Sequence, residues 1–342
     1  METNQKTTTS TPTVLVLSGG GIYGYGLLGL VQAMMDYGDF KNIHTLVGTS
    51  VGSIIGYLLI IGYTPLVLMQ KLCTEMTVLE NEFSFGQWDV MNCFYGHRGA
   101  VRYSILQDLL EKWTLDLLGT TLTMKQLEER FHKKWIVCTY NQTRDEKVFL
   151  HSENYPHLPC LLAIRMSCAL PFLFEPCLFK GERYIDGGIV ENIPISITLS
   201  WTTEKVLVCY FGKEEDDPVV DDHPPRQEPL QTLFRSPLIS SSSSSYPTSF
   251  LNQVVQMLDT FMFHQIENTL HMCASLQPNL QLHRLPIRKS NKQFFDIQLS
   301  RENKFHMFSI GYRSWKSSTK NTSSCLTTKI SSSSLSSSPH CD

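Results

Sequence analysis

Three short stretches of this chain carry residue types suited to chemistry. The first is Gly48-Thr49-Ser50-Val51-Gly52, a serine between two glycines directly after the apolar run Ile43-His44-Thr45-Leu46-Val47. A G-x-S-x-G turn between strand and helix pushes a hydroxyl outward, and small flanking residues keep it clear of the neighbouring strand and helix. The helix that follows brings its positive end to the serine, which favours an anionic tetrahedral intermediate. The same pentapeptide also reads as a plain strand-to-helix turn capped by a serine.

The second stretch, Gly19-Gly20-Gly21-Ile22-Tyr23-Gly24, lies one strand earlier. Consecutive glycines at a helix start leave backbone N–H groups facing open space, as an oxyanion hole or a phosphate cradle requires. It contains the dinucleotide-binding spacing Gly19-x-Gly21-x-x-Gly24. That fingerprint needs an acidic residue at the end of the second strand. Here the second strand runs from Val47 into Gly48-Thr49-Ser50, so the dinucleotide reading is set aside.

The third stretch, Asp186-Gly187-Gly188, sets a carboxylate at a strand end, with glycines leaving it an open approach to a neighbouring turn. Asp-Gly is equally a hairpin turn. A nucleophilic serine needs a base, and none of the eleven histidines lies in a strand-end glycine context. His44 falls within the predicted second strand, His264 and His271 share a predicted helix, and His223 and His340 fall in low-complexity segments.

The elements that must hold these stretches follow from hydrophobic periodicity. Val14–Leu17 reads as a strand, the glycine loop follows, and the segment from Leu27 to Met35 repeats apolar residues at helical spacing. Ile43–Val47, the serine turn and a helix from Val51 repeat the design, so alternating strands and helices predict a parallel sheet covered on both faces. Further strands are expected at Trp135–Tyr140, Lys147–Leu150, Tyr184–Asp186, Lys205–Phe211 and Leu280–Leu285. Helices are expected around Leu161–Ser167, Phe250–Leu276 and Arg301–Tyr312. Residues 1–12 read as a disordered tail, the acidic and serine-rich stretch 213–248 as a mobile insertion, and 314–342 as a Ser/Thr-rich disordered tail. That leaves one domain over 13–313, with its core at 13–211.

Bulk properties narrow the class. A chain of 342 residues with 42% hydrophobic content can bury a large α/β core, which excludes a mini-protein or a linker. A net charge of −3 without a dense basic block gives no reason to expect a nucleic-acid partner. The ten cysteines form no Cys-x-x-Cys pair, which favours reduced structural thiols over disulfides or a metal site. The polar start lacks a secretory pattern, and Val51–Met69 is broken by Gly52, Gly56, Gly62 and Pro65. The expectation is a cytoplasmic protein, at most peripheral at membranes, with no cofactor and no metal.

Together the three stretches resemble the patatin-like phospholipase family. The likeness includes the oxyanion loop Gly19 to Gly24, the elbow Gly48 to Gly52, and a D-G-G-x-x-x-N-x-P arrangement formed by Asp186, Gly187, Gly188, Asn192 and Pro194. Arg165 to Phe174 is similar to the family's Pro-containing stretch ahead of the aspartate, and the resemblance spans about Thr13 to Phe211. It implies a three-layer fold with a mainly parallel central sheet, and a dyad in which Asp186 accepts the Ser50 proton without histidine. It also implies an oxyanion hole in the loop Gly19, Gly20 and Gly21, donated by the N–H groups of Gly20 and Gly21.

The implied activity is phospholipase A-type hydrolysis of glycerophospholipids through an acyl-enzyme. A weak or silent lipid-binding module and a transacylase using the same dyad stand as alternatives. Leu170, Phe172, Leu173, Phe174 and Ile189 are candidates for an acyl channel or for ordinary core. Where many relatives carry Arg or Lys at the fifth position of the loop, this chain has Tyr23. The expected cost is weaker binding of an anionic head group, or lower turnover.

Overall fold

The computed structural model describes residues 11–75, 102–201, 203–213, 257–258, 260–270, 280–287 and 299–322. Its strands are β1 (Val14–Leu17), β2 (Thr45–Thr49), β3 (Lys134–Asn141), β4 (Glu146–Leu150), β5 (Cys177–Phe179), β6 (Glu182–Asp186), β7 (Val206–Lys213) and β8 (Leu280–Ile287). The helices are α1 (Gly24–Tyr37), α2 (Val51–Ile61), α3 (Pro65–Glu75), α4 (Tyr103–Leu118), α5 (Met124–Phe131), α6 (Cys160–Ser167) and α7 (Arg301–Thr322), and residues 260–270 are also helical. The described strands form one sheet in the order β5-β6-β3-β2-β1-β7-β8, with β4 also on β3. Strands β3, β2, β1, β7 and β8 run parallel, while β4, β5 and β6 are antiparallel to their partners.

Alternation along each strand divides the core into two layers. Leu15, Leu17, Leu46 and Leu207 face α1 and α2, while Val14, Val16, Val47 and Val208 face Ile193, Ile195 and Ile266. The sheet is therefore covered on both faces, and the expected three-layer α/β fold with a mainly parallel core is the fold observed.

The register of β3 decides where the site forms. Strand β2 pairs with β3 over Lys134 to Cys138, and β6 pairs with it over Thr139 to Asn141. Strand β4 takes the other edge of β3 over Val137 to Asn141. A residue has one partner on each edge, so β2 and β6 share one edge end to end. Their C-terminal ends meet there, with Thr49 opposite Cys138 and Asp186 opposite Thr139.

Several elements differ from the sequence reading. Helix α7 continues to Thr322, past the tail expected from residue 314. Trp315 keeps it folded there: the ring is 3% exposed and its indole N–H donates to Asp39 at 2.9 Å. The helix lies against α1 with its backbone almost in contact, since a Cβ on Gly311 would fall 1.9 Å from the Gly26 carbonyl oxygen and one on Gly29 1.9 Å from that of Phe308. The three-residue strand β5 was not anticipated, and His44 precedes β2 instead of lying within it. Lys213 ends β7, and Pro12, in the expected N-terminal tail, is buried. Residues 1–10, 214–248 and 323–342, which carry the rest of the expected tails and insertion, lie outside the described residues, as do parts of the helix expected at Phe250–Leu276. Among the described residues no single helix is long and apolar enough to cross a membrane, and α2 with α3 reaches that composition only as a pair bent by 119°.

Candidate functional site

Ser50 sits on the turn from β2 into α2 with φ +52° and ψ −123°. A non-glycine residue in this region carries strain of about 1–3 kcal/mol, which the surroundings must hold in place. Here the clamp is visible. The Ser50 N–H donates to Ser167 Oγ at 2.9 Å, and Ser167 Oγ donates to the Cys138 carbonyl at 2.6 Å. The Ser50 carbonyl accepts from Ser53 Oγ at 2.6 Å and from the Ser53 N–H at 2.9 Å. The flanking glycines are required by contact. A Cβ on Gly48 would lie 2.5 Å from the Gly52 backbone, and one on Gly52 would lie 2.3 Å from the Leu17 carbonyl oxygen.

Asp186 ends β6 and is 2% exposed. Its own N–H donates to the Ala169 carbonyl at 3.0 Å, and its Oδ1 accepts from the Gly188 N–H at 2.7 Å. Burial raises the carboxyl to about 6, against the opposing pull of the neighbouring Ser50 hydroxyl and the Gly188 amide. Gly187 belongs to the same fit, because a Cβ there would lie 2.5 Å from the Cys138 carbonyl oxygen.

The glycine loop lies beside this pair. Gly21 has φ +52°, a conformation that favours glycine, and opens a short 3-10 turn over Gly21–Tyr23. The Gly19 N–H donates to the Asn192 carbonyl at 3.0 Å, so it is spent within the fold. Its lack of a side chain matters instead: a Cβ would lie 2.4 Å from Asn192 Oδ1 and 3.5 Å from Ser50 Cβ. Among the described residues, the backbone hydrogen bonds of this loop use the N–H groups of Gly19, Tyr23 and Gly24, not those of Gly20 or Gly21. Gly24 gives α2 room, since a Cβ there would lie 2.5 Å from Val51 Cγ2. Tyr23 is 6% exposed, and its ring packs on Phe211 at 5.6 Å between centroids.

A cavity of about 180 Å³ opens at Ser50 and Asp186 and continues between Leu28, Ile54, Leu58, Leu110 and Trp113. Of the channel candidates, Leu170, Leu173 and Phe174 line it, whereas Phe172 is 49% exposed and Ile189 packs against the core elsewhere. Among the described residues no histidine lines it, and no group of three His, Cys, Asp or Glu side chains is placed to hold a metal ion.

The structure adds residues that sequence reasoning did not assign. Ser167 fixes the Ser50 amide, and the buried Cys168 thiol lines the cavity next to Ser50 and Ser53. Burial pushes that thiol well above its ordinary range. Leu106, Leu109, Leu110 and Trp113 follow the i, i+3, i+4, i+7 spacing of one helix face, a signal that marks α4 as amphipathic but not as a cavity wall.

The geometry thus joins a hydroxyl, a buried carboxylate of raised basicity, a glycine loop and an apolar cavity. This is equipment for attack on an uncharged ester that carries an apolar chain. Known proteins agree at the level of family. The chain is 31% identical over 196 residues to probable lipid hydrolase 463L of Invertebrate iridescent virus 6, covering 56% of this chain and 64% of that protein. It is 27% identical over 275 residues to uncharacterized protein R571 of Acanthamoeba polyphaga mimivirus, covering 78% of this chain and 86% of that one. It is 24% identical over 207 residues to lysophospholipase NTE1 of Saccharomyces cerevisiae, covering 59% of this chain and 11% of that protein. The sequence model of the patatin-like phospholipases matches residues 15–199, more than half of the chain, and the protein belongs to the patatin-like phospholipase family.

Proposed function

We propose that the protein is a phospholipase A-type acyl hydrolase that cleaves fatty-acyl esters of glycerophospholipids, with Ser50 as nucleophile and Asp186 as its base. The observation that carries this reading is the Ser50 hydroxyl set beside the buried Asp186 carboxylate, both of them lining one apolar cavity. The names of its viral and yeast relatives, a probable lipid hydrolase and a lysophospholipase, support a lipid ester as the substrate class.

Ser50 Oγ attacks the ester carbonyl carbon while its proton passes to Asp186. The carbonyl oxygen becomes an oxyanion facing the N–H groups of Gly20 and Gly21 and the positive end of α2. Collapse of the tetrahedral intermediate breaks the ester bond, and the departing lysophospholipid oxygen takes the proton from Asp186. Water then attacks the acyl-Ser50 carbonyl and gives a proton to Asp186. That proton returns to Ser50 Oγ as the fatty acid leaves. A carboxyl raised to about 6 is a better base than an exposed aspartate and is still ionised at neutral pH.

Phe172, exposed between two cavity-lining stretches, is available to enter a bilayer surface while the ester reaches Ser50. Tyr23 points its ring into the Phe211 contact, so the loop brings no cation of its own to the site, and an uncharged ester rather than the phosphate is what the cavity recognises.

The test is fatty-acid release from mixed phospholipid vesicles by the wild type and by Ser50→Ala, with products resolved by mass spectrometry. Release by the wild type alone is expected, and the lysolipids formed identify the bond cut. Vesicle binding without release by either protein would favour the lipid-binding module instead.

A further inference from the structure

The cavity that starts at Ser50 has a floor. On α2 it is lined by Val51, Ile54, Ile55 and Leu58, one face of the helix running away from the serine. From Ser50 to Leu58 this face spans about 12 Å at ~1.5 Å per residue. Beyond it stands Trp113 of α4, 2% exposed, whose carbonyl accepts the Tyr63 hydroxyl at 2.8 Å just past the end of α2. Leu58, Leu68 and Leu110, which line the same cavity, are likewise buried.

Trp113 is also pinned. Its indole N–H donates to Glu75 Oε2 at 3.0 Å, and the same oxygen accepts from Lys112 Nζ at 2.8 Å. Lys71 Nζ lies 3.3 Å from the other Glu75 oxygen and 5.5 Å from the centre of the Trp113 ring. Glu75 ends α3 and Trp113 lies on α4, so this cluster ties the two helices together across the cavity floor. Lys112 and Trp113 hold the Glu75 carboxyl down to about 2, so the carboxylate that pins the indole stays ionised at neutral pH.

We infer that Trp113, held by Glu75, is the residue that sets acyl-chain length, and that the enzyme's preferred esters carry medium-length chains. This inference rests on the hydrolase reading above. Two magnitudes agree on the length. A cavity of about 150 Å³ takes one benzene, so about 180 Å³ takes roughly seven or eight carbons in a packed chain. A 12 Å run holds about ten extended methylenes, given bonds of about 1.5 Å. Chains past about ten carbons meet the indole.

The experiment is a kcat/KM profile over p-nitrophenyl esters from butanoyl to palmitoyl for the wild type, Trp113→Ala, Ile54→Phe and Glu75→Gln. In the wild type each added methylene raises kcat/KM about fourfold until the profile turns near eight to ten carbons. Trp113→Ala moves the turn to longer chains and raises the palmitoyl-to-octanoyl ratio at least about tenfold. Ile54→Phe, which fills the channel nearer the serine, moves the turn to shorter chains and keeps the test alive if Trp113→Ala fails to fold. Glu75→Gln moves it in the same direction as Trp113→Ala but less, which a general loss of stability would not do. The same turn in all four proteins would overturn the inference. Turnover of no ester would overturn the hydrolase reading instead. Length selectivity would then be read from fatty-acid binding to Ser50→Ala, where equal affinity for decanoate and palmitate contradicts the stop.

Discussion

Ser50 and Asp186 meet because the strands that carry them converge on one edge of β3, β2 ending opposite Cys138 and β6 ending opposite Thr139. The serine is held at a strained φ by Ser167, and the carboxylate by the Gly188 amide. Each partner is therefore positioned by its own strand end and not by the other, which makes the two halves separately testable.

The pH dependence of hydrolysis follows from the Asp186 carboxyl at about 6. The base works only when ionised, so kcat/KM is expected to be flat above about pH 7 and to fall tenfold per unit well below pH 6. A limb near the ordinary aspartate value of about 4, measured with an uncharged ester, would contradict this account.

Stability moves in the opposite sense. The folded carboxyl, at about 6, binds its proton more tightly than the unfolded one at 3.8. The folded state thus holds more protons between these values, and stability is lost as pH rises through that window, by about 3 kcal/mol. Asp186→Asn removes this loss while keeping an oxygen for the Gly188 amide. Thermal melts at pH 4 and pH 8 should show the variant gaining on the wild type at the higher pH, with hydrolysis abolished. A variant that melts several degrees below the wild type at pH 8 would count against the burial account.

The glycines divide by what faces them. Gly52→Ala drives a methyl into the Leu17 backbone and is expected to cost more than about 4 kcal/mol, seen as loss of soluble folded protein. Gly19→Ala collides with the Asn192 side chain and reaches only ordinary contact distance of Ser50 Cβ. Its damage should be partly relieved by adding Asn192→Ala, with a coupling of at least about 1 kcal/mol in a double-mutant cycle of denaturant midpoints. Strict additivity would refute the contact.

Gly311→Ala tests the seat of α7. The new methyl would overlap the Gly26 carbonyl, so α7 must lift from α1. A lower melting temperature and a red-shifted contribution from Trp315, now buried, are expected. Unchanged emission would mean that the helix does not depend on this crossing.

A chelator should leave hydrolysis unchanged, because among the described residues none of the acidic, histidine or cysteine side chains gather as metal ligands. Activity lost to a chelator and restored by calcium would require a site this account does not contain.

The strand, glycine loop and helix around Gly19 and the strand, turn and helix around Ser50 were legible because local periodicity and glycine spacing fix them. The convergence of β2 with β6 was not, since register on β3 is a long-range property of pairing. Strand β5 was too short to carry a period. The end of α7 was misread because a serine-rich composition hid Trp315, whose burial depends on Asp39 far away in the chain. Gly19 reads like its neighbours in sequence, yet only the fold shows its N–H engaged by Asn192. The cavity walls on α4 needed the structure, because an apolar helix face does not announce what it faces.

The central claim is that Ser50 is a nucleophile activated by Asp186. Its most direct test is labelling with a fluorophosphonate, which phosphonylates activated serines, followed by mass mapping of the modified peptide. The account predicts one adduct on the wild type, located at Ser50, absent from Ser50→Ala and strongly slowed in Asp186→Asn. Labelling of Asp186→Asn at the wild-type rate, or an adduct on another residue that survives Ser50→Ala, would contradict it.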